Sequence, residues 1–256
     1  MDIVLIKLVL TPLLIAALTL IGRRWGSAVS GAIAGLPLTS GPVSIFLALE
    51  QGTNFAAHAA IGTLAGLIAV GAFCLAYAFT ASRKNWIASA IAGVAAFVVF
   101  ASLLLLAPLD LVATFIIVAL FLAIVLRMMP KATGSKSFVV LAQPKWDLGL
   151  RMGIATGLVF LLTAIAPKLG PQMTGLVSPF PVFGGVLAVF AHRHFGPLDA
   201  HRVLRSVVLA SFAFAVFFLI VGAMLERYGC AVTYSLAAIA ALSANALLFI
   251  RLRRKL

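Results

Sequence analysis

Two stretches of this chain combine proline, glycine and hydroxyl residues inside otherwise apolar runs: Gly35-Leu36-Pro37-Leu38-Thr39-Ser40-Gly41-Pro42 and Ser178-Pro179-Phe180-Pro181-Val182-Phe183-Gly184-Gly185. Proline removes an amide donor and clashes with the carbonyl one turn back, and glycine tolerates unusual backbone angles. Each stretch therefore predicts a broken helix. Ser40 before Gly41-Pro42, and Ser178 before Pro179, read as N-caps with proline in the first turn of a second half-helix. A half-helix starting in mid-membrane turns unpaired amides and partial positive charge towards the bilayer centre. The chemistry this suggests is anion binding, with Pro37, Thr39, Ser40, Gly41, Ser178, Pro181, Gly184 and Gly185 as candidate substrate-binding residues. The competing reading is a pair of proline kinks that serve packing alone.

Charged residues extend the candidate set. Lys7 and Arg151 each fall about one turn into an apolar helix, where a charge is costly unless it snorkels or meets a partner. They either reach the headgroups or line an access path for a negative headgroup or solute. Arg202 and Arg205, beside His192, His194 and His201, form an inner anion vestibule or simply a solvated loop. The histidines lack the acid or thiol support of a metal site, so neither metal nor cofactor is expected. All six carboxylates fall at helix ends or in loops, and none sits centrally as an acidic relay would. Glu50, His58 and Asp110 on the outer side are candidate proton carriers. Paired carboxylates, a nucleophile–histidine pair and a phosphate-cradling loop are all missing, so catalysis is not expected.

Membrane helices must position these residues. Of 256 residues, 64% are hydrophobic and 10% charged, too little polar surface to coat a soluble domain. About nine runs approach the roughly 20 apolar residues that a bilayer crossing requires: 3–21, 27–49, 58–80, 86–107, 110–128, 149–167, 171–191, 203–225 and 230–250. The first has an acid, Asp2, where a signal peptide carries basic residues, and reads as a retained helix. The formal charge of +13 is a topology signal rather than a nucleic-acid footprint. Sixteen of the 19 Lys and Arg residues fall on one face of this arrangement, leaving only Lys7, Lys168 and Arg227 on the other. That asymmetry predicts an outside N-terminus and a cytoplasmic C-terminus in a bacterial inner membrane. Cys74 and Cys230 read as packing residues.

The chain also repeats itself. A shift of 144 positions superposes Gly26 on Gly170, Gly31 on Gly175, Pro37 on Pro181, Gly41 on Gly185, Phe46 on Phe190 and Gly52 on Gly196 without a gap. Residues 1–108 and 147–256 then form two four-helix repeats, and 109–146 supplies a connector helix and a basic cytoplasmic loop. Five crossings separate equivalent helices, so the halves are inverted, which is an architecture of alternating access. The fold class expected is an all-α polytopic membrane protein of two inverted repeats, broken at spans 2 and 7. Gly31-x3-Gly35 and Gly62-x3-Gly66 predict close helix approach, within the chain or across a homodimer.

The second repeat, with Gly175-Leu176 followed by Phe180-Pro181 and Phe183, then Ala188, Gly196 and Arg205, resembles the GlpM-like bacterial inner-membrane proteins. Residues 150–225 carry the likeness. In the first half Gly35, Leu36 and Pro37 keep the proline, while Leu36 and Thr39 stand where the aromatics belong and Ile61 replaces the arginine. The resemblance implies two fused four-helix units in a bacterial inner membrane and is silent on substrate. The function expected is a secondary transporter or flippase for an anionic solute or phosphate-bearing lipid, partnered by the bilayer and not by nucleic acid. A membrane scaffold for envelope assembly and an ion channel are the alternatives.

Overall fold

Small residues dominate one long apolar run, and that run becomes the centre of the protein. The computed structural model describes residues 7–9, 11–13, 16, 17, 20, 37–108, 110–130 and 147–253. Gly31, Gly35, the loop at 131–146 and most of the first two predicted spans up to residue 36 lie outside the described residues. Among the described residues every regular element is helical. After the helical residues of 7–20 come α1 (Ser40–Gln51), α2 (Thr53–Ala81), α3 (Trp86–Leu104), α4 (Leu111–Met128), α5 (Asp147–Val177), α6 (Val182–Phe195) and α7 (Pro197–Arg253).

Helix α2 is buried along nearly its whole length and is lined with Ala, Gly and Thr. It packs against α3, α4, α5 and α7. Its glycines explain how so many helices crowd it. A Cβ on Gly66 would stand 2.6 Å from Cγ of Pro179 and 2.8 Å from the carbonyl of Leu176. Gly62 meets the carbonyl of Gln172 and Gly175 meets that of Ala59, so the end of α5 and α2 touch backbone to backbone. The Gly62-x3-Gly66 spacing is therefore a seam inside the chain, as small-residue stripes in membranes permit.

Large apolar side chains do the reverse and face outward. Ile91, Val98, Val99 and Leu103 on α3, with Val112, Ile116, Ile117, Leu120 and Ile124 on α4, are exposed. Patches of that extent belong in lipid rather than water. Among the described residues five helices are long and apolar enough to cross a membrane: Thr53–Ala81, Trp86–Leu104, Leu111–Met128, Met152–Val177 and Pro197–Leu248. The protein is thus an all-α, membrane-embedded chain.

Two of the five are not single straight rods. Gly170 (φ 74°, ψ 169°) interrupts α5, and Gly229 (φ 71°, ψ 179°) interrupts α7. Across Gly229 the rings of Phe217 and Tyr234 lie 6.2 Å apart. Seventeen residues of unbroken helix would hold them about 25 Å apart, so α7 folds back on itself there. Only glycine adopts that backbone without a steric penalty.

Local backbone features recur 144 residues apart. The amide of Gly41 donates to the carbonyl of Pro37 at 2.7 Å, and that of Gly185 to Pro181 at 2.7 Å. Helices α1 and α6 both end against a left-handed glycine, Gly52 (φ 90°, ψ 163°) and Gly196 (φ 96°, ψ 179°). The next helix begins one residue later in each case.

Candidate substrate site

In the first predicted segment a helix starts as expected, but its capping differs, and the half-helix expected before Pro37 lies outside the described residues. Helix α1 starts at Ser40 itself, and Thr39 occupies the N-cap position with no side-chain hydrogen bond. The amide of Gly41 is taken by Pro37 and that of Val43 by the carbonyl of Thr39, while Pro42 has none. Few bare amides are left for an anion. The Ser40 hydroxyl instead leaves its own helix and donates to the backbone carbonyl of Ser178 at 2.9 Å.

Ser178 is likewise not the N-cap of the second half-helix. Its amide donates to the carbonyls of Thr174 and Gly175, so it closes α5. The chain then turns through Pro179, Phe180 and Pro181, with Val182 bonded to Phe180, before α6 begins at Val182. Ser40 is already the first helical residue, so it does not stand in the N-cap position, and its hydroxyl proton goes to a buried carbonyl of the second segment.

The two predicted segments thus meet. Ser40 is fully buried and Ser178 is 3% exposed, and the hydroxyl of Ser178 is buried without a hydrogen-bond partner. One turn along α1, Ser44 shares a 2.7 Å hydrogen bond with the hydroxyl of Tyr234 from the far limb of α7. Neither Ser44 nor Tyr234 stood out in the sequence, although serine four residues from Ser40 marks the same helix face. Gly184 packs against Val207, and Gly185 faces the ring of Phe73, which also packs edge-on against Phe180. Pro37 and Pro181 are buried at the turns. Hydroxyls and carbonyls line this junction, so it can form neutral hydrogen bonds but supplies no charge of its own.

Charge enters beside it. Lys7 does not snorkel. Its ammonium lies 2.5 Å from Oε1 of Glu50, with side-chain exposures of 7% and 17%. It also donates to Thr163 Oγ1 at 2.6 Å, while Thr163 donates onward to the carbonyl of Val159. The rings of Phe46 and Phe160 flank the ammonium at 5.8 and 5.6 Å, within cation–π range. Lys7 is the only buried Lys or Arg among the described residues. Thr163 was absent from the sequence-predicted set, since nothing local distinguishes it from other helical threonines.

The remaining candidates lie apart from this pair. Arg151 sits near the start of α5, and its side chain lies outside the described residues. Asp110 caps α4 by accepting the amides of Val112 and Ala113 at 3.1 and 3.0 Å, and is exposed. His58 is exposed, with Nδ1 donating to the carbonyl of Asn54 on its own helix. On the opposite side of the first half, His201 is buried and bonds the carbonyl of Ala78 at 2.9 Å. His192 lies 3.4 Å from the hydroxyl of Tyr77. Arg205 reaches the carbonyl of Leu126, and Arg202 pairs with Asp199. Two of the vestibule cations are therefore engaged within the protein. Among the described residues no three His, Cys, Asp or Glu side chains converge as metal ligands. The chain matches no protein-family model, and neither a curated protein nor a solved structure is significantly similar to it.

Proposed function

We propose that this protein is a secondary transporter or flippase for an anionic solute or phosphate-bearing lipid, working by alternating access between two inverted four-helix repeats. The observation that carries the reading is the meeting of the two proline–glycine segments. Ser40 and Ser178, 138 positions apart, are joined inside the bundle with an unpartnered hydroxyl beside them. Irregular backbone is tolerated at membrane depth only where protein or a cavity surrounds it. Paired discontinuous helices at a repeat interface are where transporters place their substrates.

The recurrence of Pro–Gly hydrogen bonds and left-handed glycines at a 144-residue spacing supports a duplicated unit. The fold-back at Gly229 and the break at Gly170 support a count of nine crossings, because each divides a long helix. Nine crossings put the N-terminus outside and the basic loop and C-terminus in the cytoplasm of a bacterial inner membrane. The GlpM-like resemblance belongs to the same proposal, as two fused units of that kind.

Flux through reconstituted liposomes tests the reading. Wild-type protein is expected to move members of a broad anion panel, or to scramble anionic lipid, with saturation. Ser40→Ala and Ser178→Ala should lower that flux. Folded protein that moves neither anion nor lipid would sink the proposal and leave a scaffold role. A large conductance without saturable exchange would point instead to a channel.

A further inference from the structure

The neutral junction at Ser40 and Ser178 has no counter-charge for an anion, and its amides at Gly41, Val43 and Gly185 are already bonded. The one buried cation among the described residues, Lys7, stands at the other end of the same short helix, against Phe46 and Glu50. It joins the N-terminal helix and α1 to Thr163 of α5, and so links the two halves of the chain. Removing one member of such a pair leaves the other charge buried and uncompensated. Lys7 can therefore neutralise Glu50 or a bound anion, but not both. Two negative groups around one buried ammonium repel each other strongly in a medium of low dielectric.

We propose that Glu50 is a proton-binding site that controls an anion site at Lys7, so that the substrate anion crosses together with a proton. The inference rests on the transporter reading and names its coupling ion. The exchange is balanced. A proton adds to the Glu50 carboxylate, the Lys7–Glu50 ion pair is lost, and the Lys7 ammonium takes the substrate's carboxylate or phosphate oxygen as its new partner. For a singly charged anion one proton accompanies it, and the net charge of the site is the same before and after.

The groups around Glu50 fit this role. Lys7 faces it from the N-terminal helix, and Thr163 and Phe160 of α5 complete the surround of the ammonium. From α2, Asn54 and the exposed His58 lie just beyond the helix turn, and Asn54 reaches Glu226 of α7 at 3.3 Å. Its partial exposure leaves Glu50 in reach of protons from the adjoining aqueous face.

Infrared difference spectroscopy of the full chain in liposomes reads the proton directly. Acidification is expected to produce a protonated-carboxyl band that is lost in E50Q. In E50D, which keeps the carboxylate and controls for misfolding, the band should shift and persist. At fixed pH, adding inorganic phosphate, or replacing neutral lipid with phosphatidylglycerol, should enlarge the band in wild type, because linkage is reciprocal. The enlargement should disappear in K7Q. A response to phosphate alone identifies a soluble anion, and a response to phosphatidylglycerol alone identifies a lipid headgroup. A band unaffected by E50Q, or one indifferent to both anions, overturns the inference. A normal band and anion response without flux of either species would sink the transport reading while leaving the coupled site standing.

Discussion

At the residue scale the Lys7–Glu50 pair behaves as a unit whose halves cannot be removed singly. Glu50→Leu leaves the buried Lys7 ammonium unpaired and is expected to cost about 3–5 kcal/mol; Lys7→Met leaves the partly exposed Glu50 and is expected to cost less. The double substitution replaces the pair with apolar volume and should cost much less than the two singles together. A double-mutant cycle in detergent, read by thermal or denaturant unfolding, measures this. Additive losses would mean that the pair is not formed. Ser178 predicts the opposite sign. Its hydroxyl is buried without a partner, so Ser178→Ala removes an unsatisfied group and should be neutral or stabilising by up to about 1 kcal/mol. A stabilised Ser178→Ala variant with reduced flux would mark the hydroxyl as kept for substrate rather than for folding. Ser40→Ala differs because it leaves the Ser178 carbonyl without its donor, and is expected to destabilise by about 1–3 kcal/mol.

Elements raise a different question, that of how close two helices come and where they stop. Gly66→Ala would push a methyl into Pro179 and the Leu176 carbonyl, neither of which is the end of a flexible side chain. Overpacking of this kind costs about 1–3 kcal/mol. It should also part α2 from the break and weaken the Ser40–Ser178 contact, so unfolding and flux assays should both register it. Gly52 and Gly196 are cleaner backbone cases, since an added Cβ meets nothing within 4 Å at either. Alanine at either position is expected to cost about 1–3 kcal/mol through the positive-φ, extended-ψ backbone alone. Near-equal losses at the two sites are the outcome expected of equivalent positions in a repeat.

For the molecule as a whole, orientation is the property to test. With nine crossings, a cysteine in the 131–146 loop or the C-terminal tail should react with an impermeant thiol reagent only from the cytoplasmic side. A cysteine at residue 2 should react only from outside. Cys74 is buried and Cys230 partly so, so both are replaced before labelling. Both termini reacting from one side would require an even number of crossings and remove the inverted arrangement.

The sequence by itself determined the class of protein and the places where its helices break. Composition, run length and glycine–proline spacing are local, and the solvent acts on them directly: lipid selects apolar helices, and proline interrupts them wherever it stands. The turn at 178–181 and the helix start at Ser40 were legible for that reason. So was the glycine stripe on α2, though not which helix it would meet. Only the tertiary structure decided the partners. Serines read as caps became a bridge from Ser40 to the Ser178 carbonyl, and a lysine with two local readings found Glu50, Thr163 and two rings. Ser44 met Tyr234 from a helix 190 positions away. No local pattern encodes such pairings, because a hydroxyl or an ammonium takes whichever partner packing brings within about 3 Å. The expected free amides were lost for a local reason, as turns closed Gly41 on Pro37 and Gly185 on Pro181, whereas the buried charge of Lys7 found its partners only through packing.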